Sequence, residues 1–311
     1  MMKKPILMFL LFSLALSLPG CAPGPEDARL TVVCTTYPIY LFASSIAEGA
    51  DGVSVERLDT GSASCLHDYT LSMEDMKKLE RADVIALNGA GLEEFLESAL
   101  AVSGAAVIDC SEGVDLLENL SHDHGGEEDG HDHGHWDPHY WMDPGRAAVM
   151  ARNLEAGLWS ADPDHRADYQ AGPVLEMLER CRASMDALGA QASQIPGLIT
   201  FHDGFQYFAE GCGIPLLACI EEEAGSEASA REIVEITRLV EEYSVPVIFT
   251  EVNGSDATAN AIGRETGCKI ARLTMLMDGP GEDLEAYCAG ISENISAILH
   301  GFADGEGEAY P

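Results

Sequence analysis

The chain has 311 residues, 46% of them hydrophobic and 7% aromatic, enough apolar material for one large domain or two medium ones. Its 53 acidic residues against 17 basic ones give a formal charge of −36, a surface that repels nucleic acid and anionic lipid headgroups and suits a handler of cations. Nine cysteines without a CxxC pair exclude zinc-knuckle and thioredoxin-type motifs, and no HExxH metalloprotease signature occurs.

The chain opens with MMKKPILMFLLFSLALSLPGC, a short basic end followed by an apolar run too short to span a membrane. It reads as a secretory signal over residues 1–20. LPGC suggests a bacterial lipobox, with Leu18 at −3, Gly20 at −1 and Cys21 as the lipid-accepting residue; Pro19 at −2 departs from the usual small or β-branched residue. Residues 21–29 then form a polar tether from the lipid anchor. Several of the remaining cysteines sit in apolar, strand-like runs (TVVC, AVIDC and LLAC), where a thiol behaves as a small hydrophobe.

From Leu30 the pattern alternates. LTVVC is strand-like and the following YPIYLFASSIAEGA carries helical spacing; VSVERL alternates as a strand; SMEDMKKLERA is a helix capped by Ser72 with Glu74 in its first turn. DVIALNG is a buried strand, GLEEFLESAL a helix and AAVIDC another strand. The low-complexity stretch 121–135, rich in His and acid, interrupts the pattern and is expected to be a disordered loop. DPGRAAVMARNLEAGLWSA is a helix with Pro144 in its first turn, and PVLEMLERCRASMDALGAQASQI a second one starting at Pro173. Beyond Pro196 strands and helices alternate again, ending in the amphipathic DLEAYCAGISENISAILHGF. The expected architecture is α/β: two lobes with mainly parallel sheets and flanking helices, joined by a long connecting helix. The boundaries are an N-terminal lobe over 30–144, a connecting helical region over 145–196, a C-terminal lobe over 197–302 and a tail over 303–311.

Three histidines stand apart from the loop. His67 and His202 lie at strand-to-helix turns, where open α/β sheets place binding residues, and His139 lies in DPHYWMDP. Neutral imidazoles suit zinc, and three of them with a carboxylate or water complete a tetrahedron. His122, His124, His131, His133 and His135 form a second, flexible set that gathers Zn2+ weakly beside the cleft and raises its local concentration. Asp137, Asp143 and Asp203 are candidates to orient the ligand imidazoles, or equally helix caps. Gly89 and Gly91 permit a tight turn in NGAGLEE, read as a packing element. Because imidazoles bind metal only when deprotonated, binding is expected to weaken below about pH 6.

Four blocks carry a family resemblance: TTYPIYLFASSIAEG, HDYTLSMEDMKKLERADVIALNGAGLEEFL, DPHYWMDPGRAAVMARNL and FHDGFQYFAEGCGIP. They resemble, in order and spacing, the metal-binding lipoproteins of bacterial ABC importers for zinc and manganese, zinc-type. The resemblance implies two lobes bridged by a rigid helix, an ion at their interface, and His67, His139 and His202 as ligands. It implies Glu221 or Asp278 as the further carboxylate, Asp278 being replaced by Thr274 in an alternative register. Cys65 and Leu66 stand before His67 where the family has Asp-Pro, and Gly172-Pro173 falls inside its connecting helix. The function so implied is capture of extracytoplasmic Zn2+, with Mn2+ as the alternative ion, for delivery to an ABC permease and its ATPase by a monomer lipid-anchored to the bacterial cell membrane. A zinc hydrolase and a surface adhesin are the competing classes; the first would need an open coordination site and a general base, for which Asp203 or Glu221–Glu223 are the sequence candidates.

Overall fold

The structure, a computed structural model, describes residues 28–60, 66, 69–120, 135–220 and 230–303. The signal, Cys21, Cys65, His67, loop histidines His122, His124, His131 and His133, and Glu221 lie outside the described residues.

Two four-stranded, all-parallel sheets form the two lobes. The first contains β1 (Leu30–Cys34), β2 (Val53–Arg57), β3 (Val84–Leu87) and β4 (Ala106–Asp109) in the order β2-β1-β3-β4. The second contains β5 (Leu198–Thr200), β6 (Leu216–Cys219), β7 (Val247–Glu251) and β8 (Lys269–Leu273) in the order β6-β5-β7-β8. Strand character follows position. LTVVC, between two neighbours and covered on both faces, is apolar and fully buried, whereas β4 at an edge turns Val107 outward.

The helices are α1 (Tyr37–Ile46), α2 (Met73–Arg81), α3 (Glu97–Leu100), α4 (Pro144–Ala161), α5 (Gly172–Gly189), α6 (Gln206–Cys212), α7 (Ala230–Tyr243), α8 (Ala257–Thr266) and α9 (Glu285–Phe302). Ser72 caps α2 as expected, with Asp75 returning the bond to the Ser72 amide in a capping box. Asp143 accepts from the Arg146 amide at the start of α4, where Pro144 opens the helix at a position that needs no N–H. The connecting helix starts at Gly172-Pro173, preceded by a 3₁₀ segment over Pro163–Asp168 rather than continuing from α4. GLEEFLESAL is the clear departure from expectation: only a 3₁₀ turn over Glu94–Leu96 and a single α-turn form, because Glu93 is drawn inward to cap the preceding turn.

The hydrophobic core explains how the lobes are held. One cluster runs from β1 and α1 through α4, α5 and α6 to β7 and α9, so the inner faces of both sheets share one apolar body. The outer faces have their own smaller clusters, around Val33, Ile85 and Leu96 in the first lobe and around Ile199, Ile248 and Ile262 in the second. A hinge motion would have to tear the shared cluster, so close packing confines relative movement to small adjustments. No helix among the described residues is long and apolar enough to cross a membrane.

Candidate metal centre

His139 and His202 meet where the lobes face each other. Their ring centroids are 5.2 Å apart at an interplanar angle of 89°. His139 comes from the first half of the chain, just before α4; His202 follows β5 at the C-terminal edge of the second sheet. With Asp203 they present ligand atoms all within 4.8 Å of one another. A cavity of about 10 Å³ opens between them, lined also by Leu66, Trp141, Met275 and Met277. That volume is of the order of one water-sized occupant, which fits a single ion.

Each ring has its own carboxylate. Asp137 Oδ1 accepts from the His139 amide at 2.9 Å and from His139 Nδ1 at 2.8 Å, which leaves the Nε2 lone pair for the cavity. Asp137 is itself 2% exposed, and among the described residues its Oδ2 has no hydrogen-bond partner. His202 Nδ1 stands 3.0 Å from Asp203 Oδ1 and 3.0 Å from the Gly204 amide, which it caps. The two contacts require opposite tautomers: a lone pair on Nδ1 caps Gly204, whereas a proton there satisfies Asp203 and frees Nε2 for a metal.

The segment carrying His139 is pinned along its length. Tyr207 Oη donates to the Asp137 carbonyl at 2.6 Å, Trp141 Nε1 donates to the Met275 carbonyl at 2.9 Å, and Tyr287 Oη donates to the Trp141 carbonyl at 2.6 Å. The NGAGLEE turn, expected to serve packing alone, reaches this segment directly. Asn88 Nδ2 donates to the Pro138 carbonyl at 3.0 Å and Tyr140 Oη donates to the Asn88 carbonyl at 2.6 Å, so the turn grips the residues on both sides of His139. A Cβ at Gly89 (φ +78°) would lie 2.0 Å from Asp109 Oδ1, so only glycine fits.

Glu93 holds the turn, accepting from Thr35 Oγ1 and from the amides of Asn88 and Gly89. Burial outweighs these three donors and raises its pKa from the ordinary 4.5 to about 7. Below about pH 4.5 both folded and unfolded chains carry this proton and its contribution is fully present; as pH rises through 7 the folded chain must ionise a buried group, and stability is lost. Chemical denaturation at pH 5 and pH 8 is therefore expected to show Glu93→Gln less pH-dependent than the parent by about 2–3 kcal/mol.

The remaining sequence candidates fall differently. Asp278 is not brought to this cavity: its side chain is 53% exposed and its Oδ1 pairs with Arg57 Nη2 at 2.8 Å, with the guanidinium packed over the Tyr37 ring. In this arrangement it ties β2 to the second lobe. Its alternative, Thr274, bonds through its backbone to Asn294. His135 is exposed, packed edge-on against Trp136 and 3.9 Å from Glu118. Asp143 serves α4 and pairs with Arg182 at 2.7 Å.

Glu251 is a neighbour of the site that the sequence pattern did not single out. Thr200 of β5 is in register with Phe249 of β7, which continues to bring Glu251 beside His202 at the sheet's C-terminal edge. Glu251 is 3% exposed; burial raises its pKa, opposed by the nearby His202 and His139. VPVIFTE did carry a partial signal, a strand-like apolar run ending in a charge; that it lies beside β5, which ends two residues before His202, is decided by the fold.

Residues 32–301 match the family model described as zinc-uptake complex component A, periplasmic. The chain belongs to this family. Among curated members it is 29% identical over 320 residues to the zinc-binding lipoprotein AdcA of Streptococcus pneumoniae serotype 4, covering 98% of this chain but 62% of that protein. It thus spans less than two thirds of the length of the curated AdcA relatives it matches. It is 25% identical to the manganese ABC transporter substrate-binding lipoprotein PsaA of Streptococcus mitis, covering 97% of this chain and all of that one. The solved structure of a zinc-bound ZnuA deletion mutant aligns at a TM-score of 0.72 and 25% identity, over 90% of this chain and all of that one. The two parallel-sheet lobes are those of the zinc-uptake family.

Proposed function

We propose that this chain captures Zn2+ outside the cytoplasm and hands it to an ABC permease and its ATPase, with a lipid on Cys21 holding it at the membrane. The observation that carries the reading is the meeting of His139 and His202, one from each half of the chain, over a cavity sized for one ion. His67 is proposed as the third nitrogen ligand; its neighbour Leu66 is buried and lines the same cavity. Asp203, whose carboxylate lies within 4.8 Å of the ligand atoms of both histidines, and the buried Glu251 are proposed as carboxylate ligands alongside Glu221; Asp278 would first have to leave Arg57. The division into lobes over 30–144 and 197–302 around a connector over 145–196 is part of the same proposal, as is a monomeric state. Histidines 122, 124, 131, 133 and 135 are proposed to collect metal for the cavity. The work is binding and release, so no catalytic step enters.

Imidazole-rich sites favour zinc and oxygen-rich ones manganese, which ranks zinc first here. The test is titration of the chain from residue 22 onward with zinc and with manganese against a competing chelator, with and without residues 121–135. One tight zinc and no tight manganese in the deleted chain is the expected result. Tight manganese there would replace the zinc assignment, and loss of all tight binding would remove the cavity as the site.

A further inference from the structure

The seam between the connecting helix and the C-terminal helix carries one cysteine on each side, both packed into the shared apolar cluster. Cys181 lies on α5 and Cys288 on α9, helices that pack side by side. The Cys181 thiol is fully buried, 3.7 Å from Met177 Sδ, and the half-buried Cys288 packs against the same apolar cluster. The helix register here is fixed independently by the Arg180–Glu285 ion pair, one residue before Cys181 and one turn before Cys288. Tyr287, next to Cys288, is also buried and bonded to the Trp141 carbonyl, so α9 cannot slide at this level without breaking a buried contact.

A second thiol pair in the same molecule shows what is distinctive here. Cys34 and Cys110 are both buried, at the C-terminal ends of β1 and of the chain just past β4, but β3 runs between those strands. Two strand spacings separate them by about 9–10 Å, beyond the Cα separation of about 7 Å that a disulfide spans. Side-by-side helices carry no such obstacle.

We propose that Cys181 and Cys288 form a disulfide that staples α9 to the connecting helix when the chain meets an oxidising disulfide compound. The half-buried Cys288 thiolate attacks one sulfur of the external disulfide, whose S–S bond breaks and releases one thiolate. Cys181 then gives its proton to solvent and attacks the Cys288 sulfur, expelling the second external thiolate. Two protein thiols are oxidised, one external disulfide is reduced to two thiols, and the two protons lost by the protein end on them. Burial raises the Cys181 pKa, so the second step is the slow one. The bond closes the chain between residues 181 and 288, a long loop whose restriction in the unfolded chain gives an expected rise in thermal midpoint of about 5–10 °C. It touches neither His139 nor His202, so zinc affinity is expected to change less than about twofold.

The test uses the chain from residue 22 onward, fully reduced, then incubated with glutathione disulfide, quenched by alkylation and digested for mass spectrometry. A peptide pair linked through Cys181 and Cys288, together with the higher thermal midpoint, is the expected result. Cys288→Ser should lose both while keeping the midpoint of the reduced parent. A persistent glutathione adduct on Cys288, or both thiols alkylated after incubation, overturns the proposal. A linked pair without a change in midpoint overturns the stapling role. Because reduced and oxidised parent chains are compared directly, neither result depends on the variant folding.

Discussion

Replacing His139 with alanine is expected to weaken zinc binding by more than about 100-fold. Loss of an outer partner of a ligating histidine by itself typically costs about 10–100-fold, and His139 is proposed as a ligand in its own right. Its ring is nearly buried, held by Asp137 and turned toward His202 across the cavity, and among the described residues no other imidazole stands where it could take its place. The fold should survive, because the bonds that pin this segment come from Asn88, Tyr207 and Trp141 rather than from the imidazole. Chelator competition on His139→Ala, with the metal-free thermal midpoint as a control for folding, measures the loss. An affinity within tenfold of the parent would place the metal elsewhere.

The second large effect is expected at Asp137. Asp137→Ala should lower zinc affinity about 10–100-fold, whereas Asp137→Asn should lower it less than tenfold. The carboxylate fixes both the backbone and the ring of His139 through one oxygen, Oδ1, and an amide oxygen can still accept those two bonds. Asparagine keeps the orientation and removes the charge; alanine removes both. A buried anion is costly in the metal-free chain, and the arriving cation offsets that cost, so some of the affinity comes from charge as well as from aim. Equal losses in the two variants would show that charge alone matters. Parent-like affinity in Asp137→Ala would show that the ring is held by something else.

Release of the ion has to be reconciled with a core that both lobes share. Helices α4, α5 and α9 belong to one apolar cluster with β1 and β7, and Arg57–Asp278 and Tyr40–Glu282 tie the lobes again at the surface. A large opening would break all of these at once. The His202 ring offers a smaller step, since its Nδ1 is shared between the Gly204 amide and Asp203 and a change of tautomer alters what Nε2 can bind. Local rearrangement on the second lobe thus fits the geometry better than domain closure.

Much of this protein was legible in one dimension. Alternating strand and helix patterns defined two parallel α/β halves because a buried parallel strand is covered on both faces and so reads as a mainly apolar run, as in LTVVC and the VIF of β7. Ser72, Asp143, Pro144 and Pro173 announced their helix starts through local bonding and fixed φ, which need no tertiary partner. His139 and His202 were singled out because His202 stands at a strand-to-helix turn of an open α/β sheet, where binding residues sit, and because both fall in blocks that resemble the family's. The tertiary fold decided what depends on residues distant in sequence. Asp278 sits on Arg57 because the seam between the lobes brings an arginine to it, and spacing along the chain carries no distance between residues so far apart. Glu251 joins the histidines through the β5–β7 register, and strand order is set by packing rather than by spacing. Glu93 leaves its expected helix because three buried donors 4 to 58 residues away are worth more to a carboxylate than one helical turn.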